Sequence, residues 1–208
     1  MESSLTDLVR MELVQAAAVL QAVSENAAIH ATIVQVAQAT SNALKAGRKL
    51  LIAGNGGSAA DAQHLAAEFV SRLCQDRPAM RALALTTDTS ALTAIGNDYG
   101  YEHVFARQVE ALGQAGDVFM GISTSGNSPN ILRALEVSRK MGLTTIGLTG
   151  RSGGKMTALC DHCIRIPSDT TMHIQEAHLA LEHVFCMIAE RAYFGAEHFQ
   201  VATAGRTR

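Results

Sequence analysis

The sequence predicts an α/β fold of three layers, in which a five-stranded parallel sheet lies between helices and an N-terminal helical arm precedes it. Five short apolar runs, at residues 49–53, 82–85, 118–122, 144–148 and 163–166, have the length and composition of buried strands. Segments with helical periodicity separate them, and this alternation is typical of a parallel sheet with helices on both faces. Ligands of such sheets bind beyond the carboxyl ends of the strands, so the residues there are the candidates for function.

The first 46 residues have apolar positions at helical spacing. Ser24 or Asn26 marks the joint between two helices, and Gly47 is expected to end the second. Their wide, alanine-rich apolar stripes suit packing on a partner subunit, and packing on the protein's own core is the equal alternative. Further helices are predicted at residues 58–73, 102–112, 129–141, 154–160 and 173–194.

A chain of 208 residues has the size of one domain with a single core. We expect residues 1–46 to form the arm, residues 47–196 the α/β part of the same domain, and residues 197–208 a flexible tail. Hydrophobic residues make up 48% and charged residues 17%, the balance of a globular protein. No apolar run reaches the ~18 residues of a membrane-spanning helix, and no secretory signal is visible.

The charge of the chain indicates which partners it binds, and its cysteines indicate the compartment in which it works. The net charge is −2 and the basic residues are scattered, so the basic stripe of a nucleic-acid-binding protein is missing. The four cysteines lie in apolar or helical segments and suggest no disulfide framework. Free thiols in a reducing cytosol are the simplest interpretation. We therefore expect a cytoplasmic protein that binds neither nucleic acid nor a membrane.

The most informative segment follows the first strand, where residues 54–58 read Gly-Asn-Gly-Gly-Ser. A strand, a glycine-rich turn and a helix in succession bring backbone N–H groups and the positive end of a helix dipole to one point. His64 and Glu68 follow on one face of that helix, which Ser58 is expected to begin. This layout is typical of an active site. The alternative is a tight turn without a ligand, because the motif is neither a dinucleotide fingerprint nor a P-loop.

A second candidate loop follows the third strand, where residues 123–130 read Ser-Thr-Ser-Gly-Asn-Ser-Pro-Asn. Ser128 is placed to cap a helix that begins with Pro129. Four hydroxyl groups belong to the loop, those of Ser123, Thr124, Ser125 and Ser128. With the N–H groups of the helix they form a good pocket for a phosphate monoester. The loop lacks Lys and Arg, which argues against nucleotide hydrolysis. A serine-rich cap and turn is the alternative without a ligand.

Two further polar segments follow the second strand. Residues 86–90 look like another helix cap, and residues 96–100 look like a polar turn. Asn97 and Asp98 in that turn could bind sugar hydroxyls through hydrogen bonds. By sequence alone, ordinary turn chemistry is the favoured interpretation of both segments.

The last helix carries five polar candidates, Gln175, Glu176, His178, Glu182 and His183. Spacing alone favours His178 with Glu182, four residues apart, or Gln175 with His178, three apart. Gln175 and His183 lie about 12 Å apart along a regular helix and could meet one ligand only from opposite sides of it. Spacing does not choose among these residues, and a helix-face or core role is favoured for any single histidine.

Five segments together resemble the phosphoheptose isomerases of the sugar isomerase (SIS) domain family, namely residues 53–64, 85–88, 94–100, 123–128 and 174–178. The resemblance covers nearly the whole chain, and its motifs fall in order at the ends of successive strands. It implies the SIS-type fold and a homotetramer with active sites at subunit contacts. It also implies conversion of sedoheptulose 7-phosphate to D-glycero-D-manno-heptose 7-phosphate through an enediol(ate), which supplies heptose for bacterial surface polysaccharide.

The same resemblance assigns roles to individual residues. It implies that Glu68 and His183 form the acid/base pair. It implies one Zn²⁺ per subunit, held by His64, Glu68, Gln175 and His183. Substrate contacts are implied for Asn55, Gly56, Gly57, Glu68, Asn97, Asp98 and Gln175, with phosphate contacts for Ser123, Thr124, Ser125 and Ser128. A carboxylate that ligates a metal is a weaker base, so a structural or regulatory metal is the alternative to a catalytic one.

An alternative from another class is a non-enzymatic SIS protein. One such relative binds the bacterial replication initiator, and others sense phosphosugars. The first resembles this chain in fold and in both loops, but its pattern lacks the equivalents of Glu68 and His183. This chain has both residues, which favours an enzyme. No DNA-binding domain accompanies the SIS segment, which disfavours the sensor.

Overall fold

Five strands form one sheet at the centre of the chain, in the computed structural model that describes residues 4–195. They are β1 (Leu50–Gly54), β2 (Ala82–Ala84), β3 (Val118–Ile122), β4 (Thr144–Thr149) and β5 (His162–Arg165). Their order is β2-β1-β3-β4-β5, and every neighbouring pair is parallel. The five-stranded parallel sheet that the sequence predicts is confirmed. The expected tail at residues 197–208 lies outside the described residues.

Helices cover both faces of this sheet. In the described part they are α1 (Leu5–Ser24), α2 (Ala27–Lys45), α3 (Gly57–Val70), α4 (Thr89–Tyr99), α5 (Ala106–Leu112), α6 (Pro129–Lys140) and α7 (Thr171–Phe194). The joint expected between the first two helices lies at Asn26, whose side chain caps α2. The helix expected at 102–112 is a 3-10 turn (Tyr101–His103) followed by α5, and the one expected at 154–160 is a 3-10 helix (Gly154–Leu159).

Helix α4 is missing from the sequence prediction. The cap expected near its start is present, since the Asp88 carboxylate accepts the N–H of Ala91 at 2.9 Å. The polar turn expected at residues 96–100 is wrong, because α4 continues through Tyr99 and the chain turns only at Gly100, whose φ is +92°. Weak helix formers such as Thr, Ser, Gly, Asn and Asp fill much of this helix, and it buries no residue. Neither propensity nor a buried stripe marked it.

The core lies on both faces of the sheet, which explains the unbroken apolar runs of the strands. Leu50 and Ile52 of β1 belong to a cluster with α2, α3 and α7. Leu51 and Ala53, which point the opposite way, belong to a cluster with α5 and α6. The sheet is therefore the middle of three layers.

The strand order places a crevice between β1 and β3. The helix that follows β1, α3, packs on one face of the sheet, and the helix that follows β3, α6, packs on the other. Because β1 and β3 are neighbours, the loops after them separate in opposite directions and leave a crevice at their carboxyl ends. The glycine-rich and serine-rich loops of the sequence are these two loops.

Helix α1 differs from the others because a set of its large apolar side chains is exposed, Leu5, Leu8, Val9, Leu13 and Val14 among them. Val23, near its end, is the one residue of α1 that is buried. An apolar surface of this kind is more typical of an interface than of a monomer's surface. Within residues 4–195, no helix has the length and apolar character needed to cross a bilayer.

Helix α7 is fixed to the end of β4 by a buried histidine. His178 is fully buried, and its Nε2–H donates to the carbonyl oxygen of Thr149 at 3.3 Å. Burial lowers the pKa of His178 to about 4, an effect that the bond to Thr149 only partly offsets. The ring is therefore neutral in the folded protein over the whole range in which an unfolded histidine takes up a proton.

We expect His178→Gln to reduce the loss of unfolding free energy that the wild type shows as the pH falls below 6.5. In the wild type, the unfolded chain binds a proton at His178 below pH 6.5 while the folded chain does not, so the free energy of unfolding falls between pH 6.5 and about pH 4. This contribution amounts to about 3 kcal/mol over the full range. Urea titrations of both proteins from pH 7 to pH 4 measure it. Equal acid slopes in the two proteins would show that His178 does not cause the loss.

Candidate active site

A pair of asparagines joins the loop after β1 to the start of α6. The Asn55 amide donates to Oδ1 of Asn130 at 2.9 Å, and the Asn130 amide donates back at 2.8 Å. Tyr101 donates its hydroxyl to Oδ1 of Asn55 at 3.2 Å. Asn130 and Tyr101 thus hold the first loop in place. Sequence reasoning gave neither residue a role, because partners so distant in sequence leave no spacing signal.

The glycines of the first loop are required by close contacts. A Cβ on Gly54 would lie 2.5 Å from the backbone carbonyl carbon of Ser58, so β1 and α3 can meet this closely only at a glycine. A Cβ on Gly57 would lie 2.6 Å from Nε2 of Gln175. The Gln175 side chain of α7 therefore lies against the first residue of α3. Among the residues that the structure describes, no side chain caps α3, which leaves N–H groups of its first turn for a ligand.

The serine-rich loop after β3 is closed by bonds among its own hydroxyls. Ser123 and Ser128 lie 2.8 Å apart at their Oγ atoms, and Ser123 and Ser125 lie 3.5 Å apart. Ser128 occupies the N-cap position of α6, but its hydroxyl bonds to Ser123 and not to the helix. The N-cap position expected for Ser128 is therefore confirmed, but the expected bond from its side chain to the helix is wrong. Instead, the hydroxyls converge at the helix N-terminus, beside Thr124.

The 3-10 helix at Gly154–Leu159 supports the serine-rich loop from behind. The N–H of Met156 donates to the carbonyl oxygen of Gly126 at 3.0 Å, and the N–H of Lys155 donates to Oδ1 of Asn127 at 3.1 Å. Gly126 has a φ of +64°, and a Cβ there would collide with the carbonyl oxygen of Gly153. The loop is therefore held in one shape by backbone contacts that only glycine permits.

Helices α3 and α7 bring three potential ligands together. Nε2 of His64 lies 2.9 Å from Nε2 of His183 and 3.5 Å from Oε1 of Glu68. One donor atom from each of the three residues lies within 4.8 Å of the others. His64 is exposed, while Glu68 and His183 are half-buried. A ligand in solution can therefore reach the cluster.

The donor atoms of this cluster are those of a zinc site, two imidazole nitrogens and a carboxylate oxygen. Oε2 of Glu68 is buried and has no hydrogen-bond partner among the described residues, which fits a carboxylate that meets a cation or a substrate proton. Gln175 offers an amide oxygen from α7, the helix that also carries His183. The residues present therefore fit a zinc ion.

The polar residues of the last helix differ in their burial and contacts. His178 and Glu182 share the buried face of α7, whereas His183 is the residue that meets His64. Glu176 is exposed and accepts a hydrogen bond from Nδ1 of His173 at 3.0 Å. Only contacts with α3, made by folding, distinguish His183 from its neighbours.

Two further acidic groups lie near the cluster, Glu182, which the sequence gave as one of several candidates on α7, and Asp61, to which it gave no role. Glu182 is 1% exposed, and neither of its carboxylate oxygens has a hydrogen-bond partner in the described part of the chain. Burial, together with the smaller effect of the charge of nearby Asp61, raises the pKa of Glu182 to about 8. Burial also raises the pKa of Asp61, against the opposing charge of His64. Glu182 is therefore largely protonated at pH 7.

Asn97 and Asp98 lie in the last turn of α4, where both are exposed. The Asn97 amide donates to Oδ1 of Asp98 at 2.7 Å. Across residues 4–195, no hydrogen bond joins either side chain to the two loops. Tyr101, just beyond them, reaches Asn55, so the chain that follows α4 lies against the first loop.

The fold and the arrangement of its two loops indicate the class of protein to which the chain belongs. The chain has a parallel sheet with a glycine-rich and a serine-rich loop at adjacent strand ends, and the family model described as the SIS domain matches residues 13–150. The chain is an SIS domain protein.

Comparison with relatives inside that class shows the family to which the chain belongs. A phosphoheptose isomerase from Aneurinibacillus thermoaerophilus is 52% identical over 190 residues, covering 91% of this chain and 96% of the relative. Phosphoheptose isomerase 2 of Campylobacter jejuni is 63% identical over 153 residues, which cover 74% of this chain and 76% of the relative. The solved phosphoheptose isomerase GmhA from Neisseria gonorrhoeae has a TM-score of 0.85 at 43% identity, covering 90% of this chain and 99% of its own. The chain belongs to the phosphoheptose isomerase family.

Two glycine-to-alanine changes should differ in their effect on the free energy of unfolding. Gly126→Ala adds a methyl group that collides with Gly153 at a positive φ, so we expect the free energy of unfolding to fall by at least about 2 kcal/mol. Gly96→Ala, in the interior of α4, meets only Val104 at 3.9 Å and should be neutral or stabilising by up to about 1 kcal/mol. Thermal unfolding of both variants gives the comparison. Equal stability of Gly126→Ala and wild type would refute the packing described for the loop.

Proposed function

We propose that this site converts sedoheptulose 7-phosphate to D-glycero-D-manno-heptose 7-phosphate through an enediol(ate). As a member of its family, the chain is an aldose–ketose isomerase. The observation that carries the proposal is the meeting of Glu68 and His183, from two different helices, in one solvent-accessible cluster. A carboxylate and an imidazole side by side are the groups that proton transfer between neighbouring carbons requires.

The serine-rich loop is the proposed phosphate site. Its hydroxyl groups converge at the N-terminus of α6, and hydroxyls and helix N–H groups bind phosphate well. The residues proposed to hold the phosphate are Ser123, Thr124, Ser125 and Ser128. Because the loop contains no cation, binding relies on dipoles in fixed positions.

The sugar chain would extend from the phosphate across the crevice to the cluster. The backbone of the first loop lies between them, at Asn55, Gly56 and Gly57. Gln175 lies directly against Gly57, which supports its place among the substrate contacts. Asn97 and Asp98 have polar groups suited to sugar hydroxyls. The exposure of their side chains leaves them free to turn toward a ligand.

The chemistry follows from the two groups at the end of the crevice. Isomerisation moves the carbonyl from C2 to C1, so a proton must leave C1 and a proton must arrive at C2. The Glu68 carboxylate takes the C1 proton and returns it to C2. The His183 imidazole transfers the other proton between the two oxygens, from O1 to O2. After the complete cycle, both side chains have returned to their starting protonation states.

We further propose that His64, Glu68, Gln175 and His183 hold one Zn²⁺ per subunit. Bound there, the metal would supply Lewis acidity toward the substrate oxygens. The support is the donor set and the partnerless carboxylate oxygen of Glu68. Ligation weakens a carboxylate as a base, so loss of the metal and loss of Glu68 must be tested separately.

The working form is proposed to be a cytoplasmic homotetramer that takes a phosphosugar from solution and binds neither nucleic acid nor a membrane. The exposed apolar residues of α1 support association, because burying them would remove a large apolar surface from water. Cys160, Cys163 and Cys186 are free thiols, which is typical of a reducing compartment. Its product would supply heptose to bacterial surface polysaccharide.

The test of the function is Glu68→Gln, assayed with sedoheptulose 7-phosphate by the formation of aldoheptose phosphate. Glutamine keeps the shape but cannot accept the proton, so kcat should fall at least ~10²-fold with little change in substrate affinity. His183→Asn should behave similarly, and the double variant should lose much less than the product of the two effects. Glu110→Gln, on the exposed face of α5, is the matched control and should keep full activity.

Two outcomes would contradict this assignment at different levels. A wild-type protein that binds phosphosugars or a protein partner but interconverts none would be the non-enzymatic SIS protein considered above. An active wild type with equally active Glu68→Gln would keep the isomerase and remove Glu68 as its base.

Chelation should remove one Zn²⁺ per subunit and most of the activity. Because the metal would bind only the folded protein, its loss should also lower the melting temperature. Elemental analysis, calorimetry and activity after dialysis against a chelator measure the three effects, and His64→Ala should reproduce them without chelator. His162→Ala, on β5, is the control and should retain the metal. Full activity in protein shown to be metal-free would leave acid/base chemistry alone.

A further inference from the structure

Arg77 lies beyond the end of α3, and its guanidinium turns back onto that helix. Nη2 donates to the carbonyl oxygen of Glu68 at 2.7 Å, and Nη1 donates to that of Phe69 at 2.7 Å. Nη1 also lies 3.2 Å from the carbonyl oxygens of Ser71 and Pro78. The last carbonyls of a helix have no partner within it, and Arg77 supplies a donor to that of Glu68, the residue that carries the proposed base. The carbonyl oxygen of Phe69 also accepts the N–H of Met80 at 3.0 Å.

The same guanidinium is bound to α7. Its Nε lies 3.3 Å from Oε2 of Glu190, and both side chains are only 5% exposed. The ring of Phe194, on the last turn of α7, lies 5.9 Å from the guanidinium carbon. Glu190 stands two helical turns after His183 on the same helix. Arg77 therefore connects the α3 turn that holds Glu68 with the helix that holds His183.

Stability alone is a weak reason for this arrangement. Burying two charges carries a large desolvation penalty, and apolar replacements of a buried pair are often neutral or stabilising. What an apolar pair could not supply is a set of directed hydrogen bonds to the carbonyls of Glu68 and Phe69. Those bonds fix the position of the last turn of α3, and with it the direction of the Glu68 side chain.

We propose that Arg77 is a positioning residue, which holds the end of α3 on α7 so that the Glu68 carboxylate faces His183. The inference rests on the proposed function, because it concerns the geometry of the proposed acid/base pair. Small displacements of reacting groups have large effects on rate, so the loss should appear in kcat.

The experiment compares Arg77→Met, Arg77→Lys and the double variant Arg77→Met/Glu190→Met in the full chain. Arg77→Met leaves Glu190 buried without a partner, so this variant should be both less stable and at least ~10-fold lower in kcat, with KM within about threefold. The double variant removes both charges, so it should regain stability but not kcat. Lysine can pair with Glu190 but cannot span the carbonyls, so Arg77→Lys should restore kcat only in part.

A control separates positioning from simple destabilisation. Leu135→Ala, on the buried face of α6, should lower the melting temperature while kcat, measured well below that temperature, stays near wild type. If the double variant regains kcat together with stability, or if Arg77→Lys keeps full kcat, the carbonyl bonds do not set the base and the inference is overturned. If the wild type itself shows no isomerase activity, the proposed function fails instead, so the two failures are distinguishable.

Discussion

The packing of α3 against α7 is the interaction on which the site depends. His64 and Glu68 lie on α3, and Gln175 and His183 lie on α7. The proposed acid/base pair and the proposed zinc ligands therefore come together only when α3 packs against α7. The contact is made by a stack of Phe69 and Phe185, whose ring centroids lie 5.5 Å apart. Both rings are buried in the cluster on one face of the sheet. Core packing and the assembly of the cluster are therefore one event in folding.

The second constraint is that β1 and β3 are neighbours in the sheet. This brings together the loops that follow them, although the two loops are far apart in the sequence. Parallel register aligns Gly54 with Ile122, so the residues that follow both strands leave the sheet side by side. The reciprocal bonds of Asn55 and Asn130 then close the distance between them. The α3–α7 contact lies on one side of this junction and the serine-rich loop on the other. A ligand that spans the crevice meets both.

Sequence reasoning predicted the features that depend on local pattern. The five strands, the loops after β1 and β3 and the pairing of His64 with Glu68 all follow from periodicity or spacing along one element. It missed α4, whose residues are weak helix formers with no buried stripe, and it gave Ser128 a cap that its hydroxyl does not make. Spacing also could not separate His183 from the other polar residues of α7, because that choice depends on contacts with α3. Asn130 and Arg77 act through residues distant in sequence or through backbone atoms, which no side-chain pattern reveals.

The loop that we propose for phosphate contains no Lys or Arg, and this places a strict demand on its shape. The flexible side chain of a lysine can adjust to the position of a bound anion. The dipoles of hydroxyl and N–H groups stabilise an anion only where they already point at its charge. The loop therefore has to be rigid before the ligand arrives. The bond between Ser123 and Ser128 fixes two hydroxyls, and the N–H of Met156 fixes the turn at Gly126. The 3-10 helix behind the loop is thus part of the proposed binding site, although none of its side chains needs to touch the phosphate.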